Sequence, residues 1–420
     1  DILGSMMQAV VEQGVRHDVG MHYTSVNNIL KVIKPLFLDN LYEEFFSASG
    51  NEKKLKSLLN KIYNTIIFDP ACGSGNFLVI SYKELYKLEI EILKELKELD
   101  KNEWLLLNSG INLEQFFGIE IDDYAHEAAK LSLWIAQHQM NILYKQSTND
   151  FRPTLPLSPS GNIYLGNATE LDWNKICPVK DKKNYYIIGN PPYAGARLQT
   201  KNQKKDMYNI FKDIEKNLNN LDYISCWFFL GSKFIKNKKA KLAFVSTNSI
   251  VQGEQVSLLW PHILQNLEID FAYKSFDWKN NAKYNAGVTC VILGLRNISK
   301  ESKYIFFDNN KNKAKNINAY LLDYKNIYVK KSSFQISRLP TMYFGNMPVD
   351  NGNLILSEFE KNDLINKNSQ SVKFIRPFVG AAEFIYSKPR YCLWIHDDEV
   401  DEDLQIKEIS GRLDKVKKFR

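Results

Sequence analysis

Seven short apolar segments, most of them separated by helical ones, constrain the fold of this chain more than any other feature. They lie at residues 65–69, 116–121, 161–167, 185–190, 241–247, 267–273 and 287–295. Near-continuous apolar strands that alternate with helices are typical of an α/β fold, in which helices cover both faces of an open parallel sheet. Because no helix separates the last two segments, we expect them to form an antiparallel pair at one edge.

The same pattern divides the chain into three parts. Residues 1–64 look helical, because apolar residues repeat at helical spacing in "TSVNNILKVIKPLFLDNLYEEFF". Residues 65–300 carry the strands and helices of the predicted sheet. Beyond about residue 300 the periodicity weakens in sequence rich in Asn, Lys and Tyr. Residues 301–420 are therefore predicted to form a separate accessory module.

The charged residues leave two interpretations open. The formal net charge is +7, and Lys is concentrated in runs at residues 201–205, 236–241 and 310–315. Runs of this kind are either solvated surface or part of a face that binds a polyanion such as a nucleic acid. Composition alone does not decide between them.

The cysteines and the hydropathy of the chain exclude several classes of protein. The five cysteines are far apart and form no CxxC pair, so we expect no metal site and favour reduced thiols in a cytoplasm. No apolar run approaches the roughly 18–20 residues that cross a bilayer, so we expect no membrane partner.

A glycine-containing loop follows the first predicted strand in "FDPACGSGNF", residues 68–77. Glycines between a strand and a helix let backbone N–H groups approach a ligand closely. The order of residues is neither G-x-G-x-x-G nor a P-loop, and no Lys-Ser/Thr follows. An acidic residue at the strand end, Asp69, suits a cationic or amino-acid-like ligand better than a pyrophosphate.

A second acid follows the next strand in "GIEIDDYA", residues 118–125. Glu120 is well placed to accept hydrogen bonds from ribose hydroxyls, and Asp122 to cap the following helix. The alternative is that both acids are only caps at a sheet edge. About 50 residues separate Asp69 from Glu120, against ~20 in a compact dinucleotide fold.

A third segment, "IIGNPPYAG" at residues 187–195, ends a strand abruptly. Proline fixes φ and cannot donate to a sheet ladder, so Pro191 and Pro192 stop the strand and stiffen the backbone after Asn190. Tyr193 then places an aromatic ring beside this rigid turn.

These three segments, in this order, resemble amino-methyltransferases that use S-adenosylmethionine. The chain looks like an N6-adenine DNA methyltransferase in which the cofactor motif precedes the catalytic one, on a Rossmann-like sheet. The resemblance implies that the Asn190 side-chain oxygen and the Pro191 carbonyl accept the two hydrogens of the target amine. It also implies that Pro192 stiffens the turn and that Tyr193 stacks on a base turned out of the duplex.

The same resemblance implies further contacts. "GMHYTS" at residues 20–25 is similar to an N-terminal cofactor motif. Asn167 occupies the position where the family often has an acid that contacts the cofactor adenine, and its amide can still bond the adenine amino group. Tyr284 is the candidate for the second face of the target base, with Trp278 as runner-up. The cofactor-binding residues so implied are Tyr23, Thr24, Asp69, Ala71, Gly73, Gly75, Glu120, Ile121 and Asn167.

Longer stretches resemble the MmeI-like (type IIL) family, which combines restriction and modification in one polypeptide. They include "NPPYAGARLQTKNQKKDM" and "FIRPFVGAAEFIYSKPRYCLWI". The resemblance implies a methyltransferase domain at 65–300, a linker and the beginning of a target-recognition domain at 301–420, and double-stranded DNA as partner. Lys201, Lys204 and Lys205 are then candidate phosphate contacts. A nuclease domain or subunit is expected outside this chain, in a prokaryotic cytoplasm.

Rival functions share some of these motifs. NPPY also occurs in enzymes that methylate RNA or a protein glutamine amide, and cytosine N4 methylation uses related geometry. A non-catalytic DNA-binding module is a further alternative, although the intact Asn190–Tyr193 set argues against it.

Overall fold

The computed structural model divides the chain into two compact units, Asp1–Lys331 and Ser332–Arg420. We refer to them as the first and second unit. The structure describes residues 24–99, 110–149, 152, 161–214, 220–277, 289–308, 310–332, 334, 337–340, 348–396 and 406–420.

From residue 24 to residue 63 the described part of the first unit is mostly helical, as the sequence predicts, and the predicted helical residues 1–23 lie outside the described residues. A short π-helical segment, Lys34–Leu38, contains Pro35, which cannot donate the backbone hydrogen bond of a regular α-helix. The helices are α1 (Val26–Ile33), α2 (Asp39–Ala48) and α3 (Glu52–Tyr63). In α3 the Asn51 side chain caps the first turn by accepting from the Lys54 N–H.

Strands and helices then alternate along the chain. In chain order they are β1 (Thr65–Asp69), α4 (Asn76–Leu99), β2 (Phe116–Glu120), α5 (Asp123–Thr148), β3 (Asn162–Leu165), α6 (Trp173–Ile176), β4 (Asn184–Gly189), α7 (Lys201–Phe211), α8 (Ser225–Ile235), β5 (Ala240–Thr247), α9 (Gly253–Ile263), β6 (Leu267–Asp277), β7 (Thr289–Asn297), β8 (Lys303–Phe307) and β9 (Asn310–Ala314). Among the described helices, none combines the length and apolar character of a membrane span.

The strands form one sheet in the order β3-β2-β1-β4-β5-β7-β6-β8-β9. The strands from β3 to β5 are parallel, and β7 runs antiparallel to both β5 and β6. The α/β class and the antiparallel pairing are confirmed. The pair lies inside the sheet rather than at its edge, because β8 and β9 pair beyond β6. For the same reason the sequence-based border at residue 300 falls within the first unit.

Apolar clusters cover both faces of this sheet. Alternate residues of β1 point to opposite faces, so Ile66 and Phe68 join one cluster and Ile67 joins the other. The first cluster also contains Trp227 of α8, whose indole N–H donates to the Pro70 carbonyl (3.1 Å). This bond ties a core helix to the loop that follows β1.

The second unit has its own small core. Its strands β10 (Ile355–Leu356), β11 (Ile375–Phe378) and β12 (Arg390–Leu393) form an antiparallel sheet in the order β10-β12-β11. Its helices are α10 (Glu358–Lys367), α11 (Ala381–Tyr386) and α12 (Lys407–Phe419). Leu356, Leu364 and Phe374 are among the buried residues that hold these elements together.

A buried ionic cluster joins strands β6, β7 and β8. Arg296 on β7 donates to Glu268 (2.8 Å) and Asp270 (2.5 Å) on β6. Glu268 also pairs with Lys303 of β8 (2.8 Å), and Glu301 accepts from Arg296 (3.0 Å). The cluster therefore links β7, β6 and β8 by charge-assisted hydrogen bonds.

We expect Arg296→Met to lower the free energy of unfolding of the first unit by about 1.5–3 kcal/mol, the scale of a lost hydrogen bond to a charged group. Glu268 and Asp270 lose the guanidinium but keep Lys303 and Lys241 as cations. Guanidinium unfolding followed by tryptophan fluorescence measures this, since Trp173, Trp227 and Trp260 are buried in that unit. Lys236→Met, on an exposed lysine, is the matched control. Equal stability of the two variants would contradict the role given to the cluster.

Candidate active site

Asp69, the last residue of β1, carries a fully buried carboxyl group. Its Oδ1 accepts a hydrogen bond from the Ala71 N–H (3.0 Å), and Oδ2 is buried without a hydrogen-bond partner among the described residues. Burial raises the pKa of Asp69 to about 8, opposed by the Ala71 N–H and assisted by the charge of Glu120. The group is therefore mostly protonated at neutral pH and can donate a hydrogen bond.

The loop after Asp69 needs glycine at two positions. Gly73 and Gly75 have φ of +54° and +82°, a backbone conformation that side chains disfavour. A Cβ on Gly75 would lie 3.3 Å from Ala129 of α5, so this glycine also permits close packing. A Cβ on Gly73 would meet no heavy atom within 4 Å among the described residues. The backbone at Gly73 is thus open to close approach by a ligand.

Glu120, at the end of β2, holds this loop in place. Its Oε2 accepts from the Gly73 N–H (2.8 Å), and its Oε1 accepts from the N–H groups of Ile121 (3.0 Å) and Asp122 (2.9 Å). Burial raises the pKa of Glu120. A carboxylate offers about four acceptor positions, so one remains for a ribose hydroxyl. Ile121 beside it is 60% exposed, which leaves an apolar side chain available to a ligand.

The turn after β4 presents the Asn190 side chain. A Cβ on the preceding residue, Gly189, would lie 2.7 Å from Asp69 Oδ1, so glycine here makes room for the Asp69 carboxyl group. The Asn190 amide nitrogen donates to the Thr24 hydroxyl (3.4 Å), and Asn190 Oδ1 is buried without a partner among the described residues. This contact orients the amide and leaves its oxygen as an uncommitted acceptor.

Residues that sequence reasoning missed hold this turn from behind. The Ala194 N–H donates to Asp222 Oδ1 (3.0 Å), and Gln199 donates to the carbonyls of Ala194 (3.0 Å) and Leu221 (2.8 Å). Tyr193 is half-buried against the core cluster that contains Trp227. The available signal for Asp222 was an acid just before a helix, which by itself indicates only a cap.

Asn167 lies just after β3, at the same end of the sheet. Its Oδ1 accepts from the backbone N–H (3.0 Å) and the hydroxyl (2.8 Å) of Thr169, and its amide nitrogen donates to Asp206 (3.3 Å). The side chain is therefore committed to protein partners, which sequence reasoning did not anticipate.

The remaining candidate residues are three lysines and three aromatic residues. Lys201, Lys204 and Lys205 are exposed on α7, which begins at a capping box formed by Thr200 and Gln203. The candidates Tyr23, Trp278 and Tyr284 lie outside the described residues.

Four polar residues lie at or just after the carboxyl ends of parallel strands: Asp69, Glu120, Asn167 and Asn190. Such ends share one edge of a sheet, where α/β proteins bind ligands. This sheet, with antiparallel β7 beside β5, the glycine loop and the NPPY turn, defines a Rossmann-like methyltransferase. The chain belongs to the MmeI family of DNA methyltransferases. The family model for the "MmeI, DNA-methyltransferase domain" matches residues 45–307, and that for the "MmeI, target recognition domain" matches residues 323–420.

Two relatives agree with this assignment. The chain is 49% identical over 405 residues to DNA methyltransferase A of Bacillus subtilis (strain 168), covering 96% of this chain and 46% of the relative. It is 40% identical to the type IIL restriction-modification enzyme MmeI, solved in complex with DNA, with a TM-score of 0.93 over 100% of this chain and 57% of that chain. The chain thus spans about half the length of these relatives, and its resemblance to the MmeI-like family is confirmed.

We expect Asp69→Asn to flatten the pH dependence of stability. Because the folded-state pKa is raised to about 8 from 3.8, the folded chain holds a proton that the unfolded chain has released. Wild-type stability is therefore lost as pH rises between these values. Asn keeps the acceptor for Ala71 but does not titrate, so the variant gains stability relative to wild type from pH 5 to pH 8. Urea unfolding at several pH values measures the difference, and parallel curves would contradict it.

Proposed function

We propose that this chain is the modification part of a combined restriction-modification enzyme, acting as an adenine-specific DNA methyltransferase. It transfers a methyl group from S-adenosylmethionine to N6 of adenine in duplex DNA. Any nuclease of such an enzyme is proposed to lie outside the residues of this chain. Cellular DNA as substrate and five free thiols favour the cytoplasm of a prokaryotic cell as the place of action.

The uncommitted oxygen of Asn190 is the observation that carries this proposal. An exocyclic amine is a poor nucleophile, because its lone pair is delocalised into the ring. An amine whose two hydrogens are accepted by Asn190 Oδ1 and the Pro191 carbonyl is held in a geometry that frees the lone pair. Because Pro191 and Pro192 fix these acceptors in advance, little reorganisation accompanies the reaction. Tyr193 is proposed to stack on the extruded base, with Tyr284 on its other face.

The residues beside this turn fit S-adenosylmethionine. When bound, this cofactor supplies a methyl group on a sulfonium centre. The open backbone at Gly73 and the unpartnered Asp69 Oδ2 suit its amino-acid part, and the remaining acceptor position of Glu120 suits its ribose. Thr24, Ala71, Gly75 and Ile121, with Tyr23 outside the described residues, are proposed to complete the cofactor site. Asn167 borders this site, although Thr169 already occupies its side-chain oxygen.

Transfer of tritium from labelled S-adenosylmethionine tests the substrate class. The intact protein is offered mixed-sequence duplex DNA, RNA and protein, and the labelled nucleoside is identified by chromatography. We expect label in duplex DNA as N6-methyladenine. Label confined to RNA or to protein would show that DNA is not the substrate, and N4-methylcytosine would show that cytosine is the target base. The absence of transfer would favour a non-catalytic module.

We expect Asn190→Ala to reduce methyl transfer by roughly 10²–10³-fold, the scale for loss of one preorganised hydrogen-bonding group. Cofactor affinity should stay within about threefold, since no proposed cofactor contact is removed and Thr24 loses only a long hydrogen bond (3.4 Å). Single-turnover transfer and calorimetric cofactor binding measure the two effects separately. Asn60→Ala, on an exposed residue of α3, is the control. Near-wild-type transfer by Asn190→Ala would remove this residue from the mechanism.

We expect joint replacement of Lys201, Lys204 and Lys205 by Ala to weaken DNA binding and flatten its salt dependence. Each lost phosphate contact lowers the slope of log affinity against log salt by about 0.9. Fluorescence anisotropy with a mixed-sequence duplex measures this slope. The matched control replaces three lysines of another basic run, Lys311, Lys313 and Lys315. Identical slopes for the two triple variants would assign the α7 lysines to ordinary solvated surface.

A further inference from the structure

Asp206 is a buried acid that no sequence motif singled out. It lies on α7 with only 6% of its surface exposed. The Tyr223 hydroxyl donates to its Oδ2 (2.7 Å), and the Asn167 amide nitrogen donates to the same atom (3.3 Å). Among the described residues, both of these side-chain bonds reach Oδ2 and none is found at Oδ1. Two separate segments thus converge on the carboxyl group that α7 carries and fix its direction.

Asn167 orients this carboxyl group rather than accepting a ligand. Both acceptor positions of its Oδ1 are occupied by Thr169, through the backbone N–H and the hydroxyl. Its amide nitrogen therefore points to Asp206, and its oxygen has no position left for an amino group. The acceptor in this part of the sheet edge is Asp206.

The loop after β3 links this carboxyl group to the proposed ribose site at Glu120. The Gly166 N–H donates to the Glu120 carbonyl (2.7 Å), so the loop after β3 packs against the proposed ribose site. Asn167 is the next residue and contacts Asp206 directly. Exposed Ile121 lies beside Glu120 and offers an apolar surface for a flat ring.

We propose that Asp206 accepts a hydrogen bond from the 6-amino group of the cofactor's adenine and thereby selects an adenosyl over a 6-oxo (inosyl) cofactor. Asn167 and Tyr223 act as positioning residues that hold its carboxyl group. This inference rests on the proposed use of S-adenosylmethionine. A 6-oxo group would place its acceptor oxygen against the acceptor oxygen of Asp206, whereas a 6-amino group donates a hydrogen bond to that oxygen.

Calorimetry on the intact protein tests this with two probes, S-adenosylhomocysteine and its 6-oxo counterpart S-inosylhomocysteine. We expect wild type to prefer the amino form by roughly tenfold to hundredfold, the scale of one unpaired buried polar group. We expect Asp206→Asn to bind the amino form about tenfold or more weakly. Its preference should shrink to within about threefold, because an amide can also donate to a 6-oxo group. Asp213→Asn, on an exposed acid, is the control and should match wild type.

Each result decides the inference. Lost preference in Asp206→Asn supports it, whereas equal weakening of both probes assigns Asp206 a structural role and overturns it. The wild-type preference needs no variant, so a preference below about threefold overturns the inference even if Asp206→Asn does not fold. Failure of wild type to bind either probe overturns the proposed cofactor as well. Tight and equal binding of both probes is compatible with the proposed cofactor class and rejects only the role proposed for Asp206.

Discussion

The close contact between Gly189 and Asp69 is the constraint on which the proposed site depends. A side chain on Gly189 would come within 2.7 Å of Asp69 Oδ1, so glycine at this position leaves room for the buried Asp69 carboxyl group beside the end of β4. The contact holds the Asp69 carboxyl group beside the end of β4, and Pro191 and Pro192 fix the direction in which the chain leaves the sheet. A protonated Asp69 suits this packing, because a buried charge without a partner would cost far more.

Hydrogen bonds from distant segments then join the glycine loop and the NPPY turn into one rigid assembly. The Trp227 indole donates a hydrogen bond to the Pro70 carbonyl, and Asp222 accepts one from the Ala194 N–H. The Thr24 hydroxyl accepts a hydrogen bond from the Asn190 amide nitrogen. Asp222 and Trp227 lie at the start of α8 and Thr24 lies just before α1, so the packed core holds the acceptors before any substrate binds. Such preorganisation is what methyl transfer to a weakly nucleophilic amine requires.

Buried strands and local motifs were predictable from the sequence, whereas contacts between distant residues were not. β1 begins and ends where its apolar run predicts, at residues 65–69, because all five of its residues are buried. β9 escaped prediction because "NKNKA" is a mostly exposed edge strand without apolar alternation. The NPPY motif identifies Asn190 by its local order, but no spacing reveals that Asp206 meets Asn167, which is 39 residues away along the chain.

The most direct test of the central claim is to map modified bases in DNA from cells that express the intact protein, beside cells that express the Asn190→Ala variant. The account predicts N6-methyladenine at one recurring sequence with the wild-type protein and unmodified DNA with the variant. Methylated cytosine at that sequence, or adenine methylation that persists in the variant, would contradict it.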